Sequence, residues 1–215
     1  MESSDKGLFI KIMDQKRVES FLDGQVYFNT DKFFTQIDKN DIVRFDPNEN
    51  IDESLQVKEV AIQNPENGEY LPIGGLINPV KVRYESKTTL NIFCIYIHLE
   101  KNASHFDERN LSFGQSAVII NDPVQFTKRI HNAANKMLLN VEQRPIEYVD
   151  PKEYHGTIGP FRKYDNFKYQ NEFRYLLYPG QDKPITLEIG DLRDICVVIN
   201  TKEITNCALL LTKKA

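Results

Sequence analysis

The sequence predicts an α+β fold with a central antiparallel, partly split sheet, one long helix and short N-terminal helices. Helix and strand signals alternate in short units at the start, one amphipathic helix lies near the middle, and short apolar strands dominate the second half. The gaps between most strands are too short for helical crossovers, which favours antiparallel pairing. A chain of 215 residues is long enough to bury a substantial core, so we expect residues 1–215 to form a single domain.

The opening follows a β-α-β-α order. Residues 8–12 are a predicted strand, and Asp14 is suited to cap a helix that ends at Asp23-Gly24. Residues 25–29 form the second predicted strand. The apolar positions of the two predicted helices are Val18, Phe21 and Leu22, and then Phe33, Phe34 and Ile37.

The middle of the chain contains loops and strands. Residues 40–53 are polar and include Asp-Pro, which predicts an irregular loop, and strand-like stretches follow at 55–62, 75–84 and 90–98. Residues 100–115 are polar, and we expect a loop or a lid there.

The long helix is predicted after the strand at 116–120. Asp122 is suited to be its N-cap, and Pro123 fits the first helical turn. Its predicted apolar stripe contains Val124, Phe126, Ile130, Ala134, Met137 and Leu138.

Further strands are predicted at 172–178, 185–189, 195–199 and 208–211. These segments make the second half of the chain rich in sheet.

Composition limits the classes of function. Lys and Arg number 27 against 31 Asp and Glu, so the basic excess typical of duplex-DNA binders is absent. No long apolar run or signal peptide is evident, which predicts a cytoplasmic protein without a membrane segment. The three cysteines lack a Cys-x-x-Cys pair, and the four histidines share no ligand spacing, so we predict free thiols and no metal site.

Glu172 is the first candidate for chemistry. It opens a strand-like segment in which Arg174 follows two residues later, although apolar alternation predicts neither charge. A buried carboxylate needs a cation or a functional role. The alternatives are therefore an ion pair with Arg174 or another base, and a site in a cleft that also receives Arg44 or Arg162.

Two short motifs resemble a group of uncharacterised bacterial and phage proteins. These proteins carry Asp-Pro-x-Glu after an early strand, which matches Asp46-Pro47-Asn48-Glu49, and a late Glu-x-Arg strand, which matches Glu172-Phe173-Arg174. The resemblance directs attention to both segments and implies no particular activity. We expect the loop at 40–53 to border the Glu172 site, with Asp46 and Glu49 holding Arg44.

The segment Gln170-Asn171-Glu172 also resembles mono-ADP-ribosyltransferases, in which a late-strand catalytic Glu is often preceded two positions earlier by Gln or Glu. The resemblance implies NAD as the cofactor, Glu172 as the group that stabilises positive charge on the ribose, and Gln170 as the group that orients the nucleophile. The early strand of that family supplies Arg or His, whereas the first strand here offers Lys11.

The same resemblance implies further ligand contacts. Tyr154, Phe161 or Tyr164 would clamp nicotinamide, and Arg44 or Arg162 would meet the pyrophosphate. The full set of expected ligand-binding residues is Arg44, Asp46, Glu49, Tyr154, Arg162, Tyr164 and Arg174.

The alternative function is a non-enzymatic binding or inhibitory module that acts on a protein or nucleic-acid partner. Phe161-Arg162-Lys163-Tyr164 mixes basic and aromatic residues, as surfaces that stack single-stranded nucleic acid do. Convergence of Arg44, Gln170, Glu172 and Arg162 in one cleft would favour the enzyme over the binding module.

Overall fold

A computed structural model describes residues 7–35, 45–84, 89–99 and 106–204, and its architecture is α+β, as predicted. The helices are α1 Val18–Leu22, α2 Asp31–Thr35, α3 Pro123–Lys136 and α4 Thr201–Ile204. The strands are β1 Gly7–Met13, β2 Gln25–Thr30, β3 Glu53–Leu55, β4 Val60–Gln63, β5 Tyr70–Gly74, β6 Val80–Val82, β7 Asn91–Leu99, β8 Ser116–Ile120, β9 Asn140–Pro145, β10 Glu147–Val149, β11 Gly156–Thr157, β12 Arg162–Tyr164, β13 Glu172–Tyr178, β14 Ile185–Glu188 and β15 Cys196–Asn200.

The main sheet has eight antiparallel strands, and β7 is at its centre. Six strands follow the order β15-β8-β1-β7-β13-β9. On the edge of β7 that faces β1, the strand β2 pairs with Asn91 and Ile92, whereas β1 pairs with the other end of β7. Because β1 and β2 share this edge, and β14 extends β2, the sheet is partly split, as expected.

One face of the main sheet carries the principal core. The helices α1 and α3 cover this face, and Phe93 of β7 stacks among Phe21, Phe28 and Phe126. Alternate residues of β13, beginning with Phe173, point to the same side, as the two-residue period of a strand requires.

The backbone at Gly24 passes close to Gly190 beside this core. Gly24 has a φ of 91°, and a Cβ there would lie 2.2 Å from the carbonyl oxygen of Gly190, so the position requires glycine.

The stripe predicted for the long helix is correct at its centre and wrong at its ends. Phe126, Ile130 and Ala134 are fully buried. Val124 is 80% exposed, because it lies on the solvent side of the first turn. Met137 and Leu138 are also exposed, since the helix ends at Lys136 and Leu138 adopts a φ of 58°.

Other segments differ in detail from the prediction. The stretch at 55–62 is divided between β3 and β4, and residues 108–113, expected as loop, form a 3-10 helix. Ile37 and the strand expected at 208–211 lie outside the described residues.

A small lobe covers the opposite face of the main sheet. We define the lobe as residues 45–55, 80–84 and 146–164, which contain the three-stranded sheet β11-β3-β6 and the parallel pair β10-β12. The lobe has its own apolar cluster around Ile51 and Ile158. A second apolar cluster joins the lobe to the sheet, and its buried members are Ile92, Ile146, Phe161 and Leu176.

A hairpin projects from the lobe between β3 and β6. We call residues 56–79 the arm; it contains the antiparallel pair β4-β5, which forms a two-stranded sheet of its own. Among the described residues, the strands of the arm pair with each other and with no other strand.

Candidate functional site

Glu172 stands where the chain enters β13 beneath the lobe. A 3-10 helix ends at Gln170, Asn171 adopts the left-handed conformation with a φ of 38°, and β13 begins at the next residue. Asn tolerates this conformation better than most residues do. As a result, the side chains of Gln170 and Glu172 both reach Lys163, whose Nζ donates to Gln170 Oε1 at 2.9 Å and to Glu172 Oε2 at 2.8 Å.

Four charged side chains close into a ring with alternating signs, which we call the charge ring: Glu49, Lys163, Glu172 and Arg174. Lys163 Nζ lies 2.8 Å from Glu172 and 3.3 Å from Glu49. Arg174 donates from Nε to Glu172 at 2.7 Å and from Nη1 to Glu49 at 2.9 Å. Because Glu49 and Lys163 belong to the lobe and the other two to β13, two of the four ion pairs link the lobe to the main sheet.

The charge ring is buried, and its polar atoms have hydrogen-bond partners. The exposed fractions of its side chains range from 1% for Arg174 to 9% for Lys163. Arg174 also donates to the carbonyl of Pro160 at 2.7 Å, and the backbone N–H of Glu172 donates to the Tyr148 hydroxyl at 3.0 Å. Among the described residues, no buried side-chain nitrogen or oxygen lacks a hydrogen-bond partner. Buried charges require such compensation.

The four charges hold one another ionised. Burial alone would raise the pKa of Glu172, but the attraction of Arg174 and Lys163 outweighs burial and holds that pKa well below its ordinary value. For Glu49, too, burial alone would raise the pKa, but the attraction of Arg174 and Lys163 outweighs burial and lowers it. Burial would lower the pKa of Lys163, yet Glu172 and Glu49 raise it. The charge ring is thus two carboxylates and two cations, with no net charge.

Cys94 adjoins the charge ring, in surroundings that favour the neutral thiol. It pairs with Arg174 across β7 and β13, and burial, reinforced by Glu172, raises the pKa of its thiol to about 12. A thiol that stays neutral is a weak nucleophile.

Acid should destabilise the protein through the charge ring. An unfolded Glu has a pKa of about 4.3, and the folded pKa values of Glu49 and Glu172 are lower. The contribution of these two carboxylates to folding stability is therefore complete above the pKa of the unfolded state. It is lost as the pH falls toward their pKa values in the folded state. Asp46 opposes them, because burial raises its pKa despite Lys163. Because Glu49 and Glu172 together outweigh Asp46, the urea concentration at the unfolding midpoint should decrease as the pH is lowered from about 5 to about 3.

The test compares the wild type with Glu172→Gln, in which one of the two responsible carboxylates is absent. Urea unfolding of the variant should depend less on pH over the same interval. A wild-type midpoint that stays constant, or a variant with an unchanged slope, would contradict the assignment.

The structure brings together several predicted site residues. Gln170, Glu172, Arg174 and Glu49 meet in or beside the charge ring. Asp46 is 4% exposed and accepts a hydrogen bond from the backbone of Asn48 at 2.8 Å. The sequence predicts a polar, irregular loop here but not the burial of Asp46 and Glu49, for which Lys163 and Arg174 supply the compensating charge.

Other predicted residues lie apart from Glu172. Arg162 pairs with Glu147 at 2.6 Å and stacks on Tyr154. Tyr164 donates to the Ser54 hydroxyl at 2.9 Å inside the lobe. Arg162, one of the two cations expected in a cleft with Glu172, is not its partner here, because Lys163 and Arg174 occupy both carboxylate oxygens of Glu172. Arg44, the other cation expected there, lies outside the described residues.

Lys163 is the member of the charge ring that sequence reasoning treated only as part of a basic surface. Its neighbours in β12, Arg162 and Tyr164, give the segment the appearance of such a surface. The missed signal was charge balance: Glu49 and Glu172 together need two cations, and Arg174 supplies one.

With the lobe packed on the main sheet, the carboxylate of Glu172 is closed to a ligand such as NAD. Glu172 is 7% exposed, and both of its carboxylate oxygens are engaged. The adjoining hollow, between Asp46, Lys163 and Tyr164, has essentially no room even for a water-sized molecule, whereas pockets for small ligands usually enclose about 300–1,000 Å³. With the lobe in this position, the charge ring fastens two parts of the fold and leaves the carboxylate without access to a ligand.

The arm presents the second feature of interest. Ile62 and Leu71 are directly opposite each other in β4 and β5, so they share one face of the hairpin, and each is 58% exposed. Ile73, at the β-bulge, is 62% exposed, and Ile77 near the end of the arm is 98% exposed. An isolated two-stranded hairpin is marginally stable in water, so such an arm gains from a partner that covers its apolar residues.

Comparison with known proteins found no relative: no family model matches the chain, and neither a curated protein nor a solved structure is significantly similar. Within the described residues no helix is long and apolar enough to cross a membrane. The described part of the chain also contains no cluster of three His, Cys, Asp or Glu residues suited to hold a metal ion.

Proposed function

We propose that this chain is a non-enzymatic binding module that engages a protein partner through the arm. The observation that carries the proposal is the exposed pair Ile62 and Leu71 on one face of a hairpin that projects from the lobe. Exposed apolar groups that gather on one element mark interaction surfaces more often than scattered ones do. The charge ring supports this function by fixing the lobe, and thereby the base of the arm, to the main sheet.

A protein partner fits the arm better than a nucleic acid does. The arm carries Ile, Leu and Tyr side chains, whereas a strand of nucleic acid requires a basic groove along its phosphates. The charged residues of the arm are Lys58, Glu59, Glu66 and Glu69, so its acids outnumber its bases. The proposed setting is the cytoplasm, where thiols such as Cys94 and Cys196 stay reduced.

Site-specific photo-crosslinking in the source cell tests this function. A benzoylphenylalanine residue at position 62 should yield one defined protein adduct, and Leu71→Asp in the same chain should abolish it. The matched control places the probe at position 124, because Val124 is an isolated apolar residue that is 80% exposed on α3. Absence of an adduct at 62, equal adducts at both positions, or an adduct that includes nucleic acid instead of protein would overturn the proposal.

The second candidate function is an ADP-ribosyltransferase-like activity on NAD. It is favoured by one observation, the meeting of Gln170 and Glu172 at Lys163, because the resemblance assigns both residues to catalysis. The carboxylate of Glu172 would first have to lose Lys163 or Arg174, which requires the lobe to move.

Calorimetric titration with NAD, together with an assay for released nicotinamide, decides between the two functions. The binding module predicts no saturable heat and no nicotinamide. Saturable binding and turnover that Gln170→Ala reduces would favour the second candidate.

A further inference from the structure

The tip of the arm, which is the turn between β4 and β5, contains an asparagine followed by a glycine. Asn67-Gly68 is the only Asn-Gly pair in the sequence, and both residues are exposed. Gly68 has a φ of 74°, in the left-handed region that glycine adopts with little strain. Because glycine has no Cβ, the backbone nitrogen of Gly68 is open to the side-chain amide of Asn67.

From these features we infer that Asn67 is a site of spontaneous deamidation, which converts it to aspartate or isoaspartate in the folded protein. The inference goes beyond the proposed function and does not depend on it. Water is the only other reactant, and the exposed turn is accessible to it.

The reaction has two steps. In the first, the backbone nitrogen of Gly68 loses its proton to a base in the solvent and forms a bond to Cγ of Asn67. The bond between Cγ and Nδ2 then breaks, and Nδ2 takes up a proton and leaves as ammonia, so that a succinimide ring remains. In the second step, water adds to one of the two ring carbonyls and opens the ring. Opening on one side gives aspartate, and opening on the other gives isoaspartate, in which the main chain runs through the side-chain carbons.

The contacts of the Asn67 amide favour the first step. Oδ1 of Asn67 accepts a hydrogen bond from the backbone N–H of Glu69 at 3.0 Å. Negative charge develops on this oxygen when the nitrogen of Gly68 attacks, so a donor that is already in place stabilises the intermediate. Nδ2, the leaving nitrogen, donates to Oε2 of Glu69 at 3.0 Å, which fixes the orientation of the amide.

One hydrogen bond opposes the reaction. The backbone N–H of Gly68 donates to the carbonyl of Asn64 at 2.8 Å, and this bond must open before the nitrogen can lose its proton. Exposed turns open locally at a small fraction of the free energy of global unfolding. The hydrogen bond therefore slows deamidation without preventing it.

The product changes the tip of the arm. Aspartate at position 67 cannot donate to Glu69, and one of its carboxylate oxygens would replace the nitrogen that now lies 3.0 Å from Oε2 of Glu69. Like charges at this distance repel. Isoaspartate also lengthens the main chain of the turn. Deamidation should therefore loosen the tip of the arm and leave the main sheet unchanged.

Peptide mapping by mass spectrometry of the purified full chain, aged at mildly alkaline pH, locates the reaction. The peptide that contains Asn67 should accumulate deamidated forms, including isoaspartate. Asn166 and Asn132 are internal controls, because both are exposed. The bulky Phe167 follows Asn166, and Asn132 lies within α3, where helical hydrogen bonds hold the next backbone nitrogen. Both should stay intact. An intact Asn67, or equal deamidation at the three positions, would overturn the inference.

Two variants test the mechanism. Gly68→Ala should slow deamidation by about 10-fold or more, because a Cβ crowds the attacking nitrogen. The turn has room for this Cβ, whose nearest neighbour would be Nε2 of Gln63 at 3.8 Å, so the strain of the positive φ stays at the exposed tip. Asn67→Gln should abolish the reaction, because a larger and less favourable ring would have to form. A rate that neither substitution changes would overturn the inference, and equal melting temperatures would show that both variants fold.

Hydrogen exchange of fresh and aged wild type tests the consequence for the arm. The backbone amides of β4 and β5 should exchange faster in the deamidated protein, whereas those of β7 and β13 should be unchanged. A deamidated arm that exchanges like the fresh one would contradict the loosening of the tip.

Discussion

Arg174→Met should destabilise the protein by about 3–5 kcal/mol, because it leaves Glu49 and Glu172 facing each other in the interior with Lys163 as their remaining cation. Methionine fills much of the same volume, so the loss would report charge and hydrogen bonding more than packing. Urea unfolding monitored by circular dichroism measures the change.

The matched control is Arg193→Met. Arg193, like Arg174, forms ion pairs with carboxylates. Its partners are Glu19, Asp23 and Asp191, but its side chain is 44% exposed. Solvent screens such pairs, so this variant should lose far less stability than Arg174→Met. Equal losses in the two variants would show that burial does not amplify the pairs of the charge ring.

Phe126→Ala should cost about 3–5 kcal/mol, because the side chain is fully buried between α3 and the main sheet. Its ring lies within 6.3 Å of the rings of Phe21, Phe93 and Tyr175, measured between centroids, and truncation would leave a cavity among them. Thermal and urea unfolding of the variant provide the measurement.

Val124→Ala on the same helix is the control, and it should change stability by less than about 0.5 kcal/mol. If the two variants unfold alike, the assignment of the buried face of α3 is wrong.

Local signals predicted the fold class and the positions of several strands. Alternation and turn residues placed β1, β2, β8 and β13 near their observed positions, and Asp122 does accept a hydrogen bond from the backbone N–H of Gln125 as the N-cap of α3. These features depend on neighbours in the sequence. The exposed Met137 shows the limit, because a helical period alone does not indicate where the last turn ends.

The lobe was harder to predict because it depends on contacts between distant segments. Arg174 and Glu49 are 125 residues apart, yet their side chains are 2.9 Å apart. The sequence showed an acid and a cation in an apolar strand and correctly required compensation. It did not show that a second layer covers that face of β13, so the irregular loop was predicted but the burial of Asp46 and Glu49 was not.

The arm went unrecognised as a candidate surface for a related reason. Its strands have the apolar residues of ordinary core strands, and exposure depends on what the rest of the chain leaves uncovered. Ile62 and Leu71 would be core residues if another layer lay over them.

A double-mutant cycle on Lys163 and Glu172 tests most directly whether Glu172 serves the charge ring. Lys163→Met and Glu172→Gln should each be strongly destabilising, because each leaves an unbalanced buried charge. The double variant removes both charges of one pair and leaves Glu49 with Arg174. It should therefore lose clearly less stability than the sum of the single variants, with a coupling energy of about 0.5–3 kcal/mol. Additive losses, or a Glu172→Gln variant as stable as the wild type, would contradict a structural role for this carboxylate.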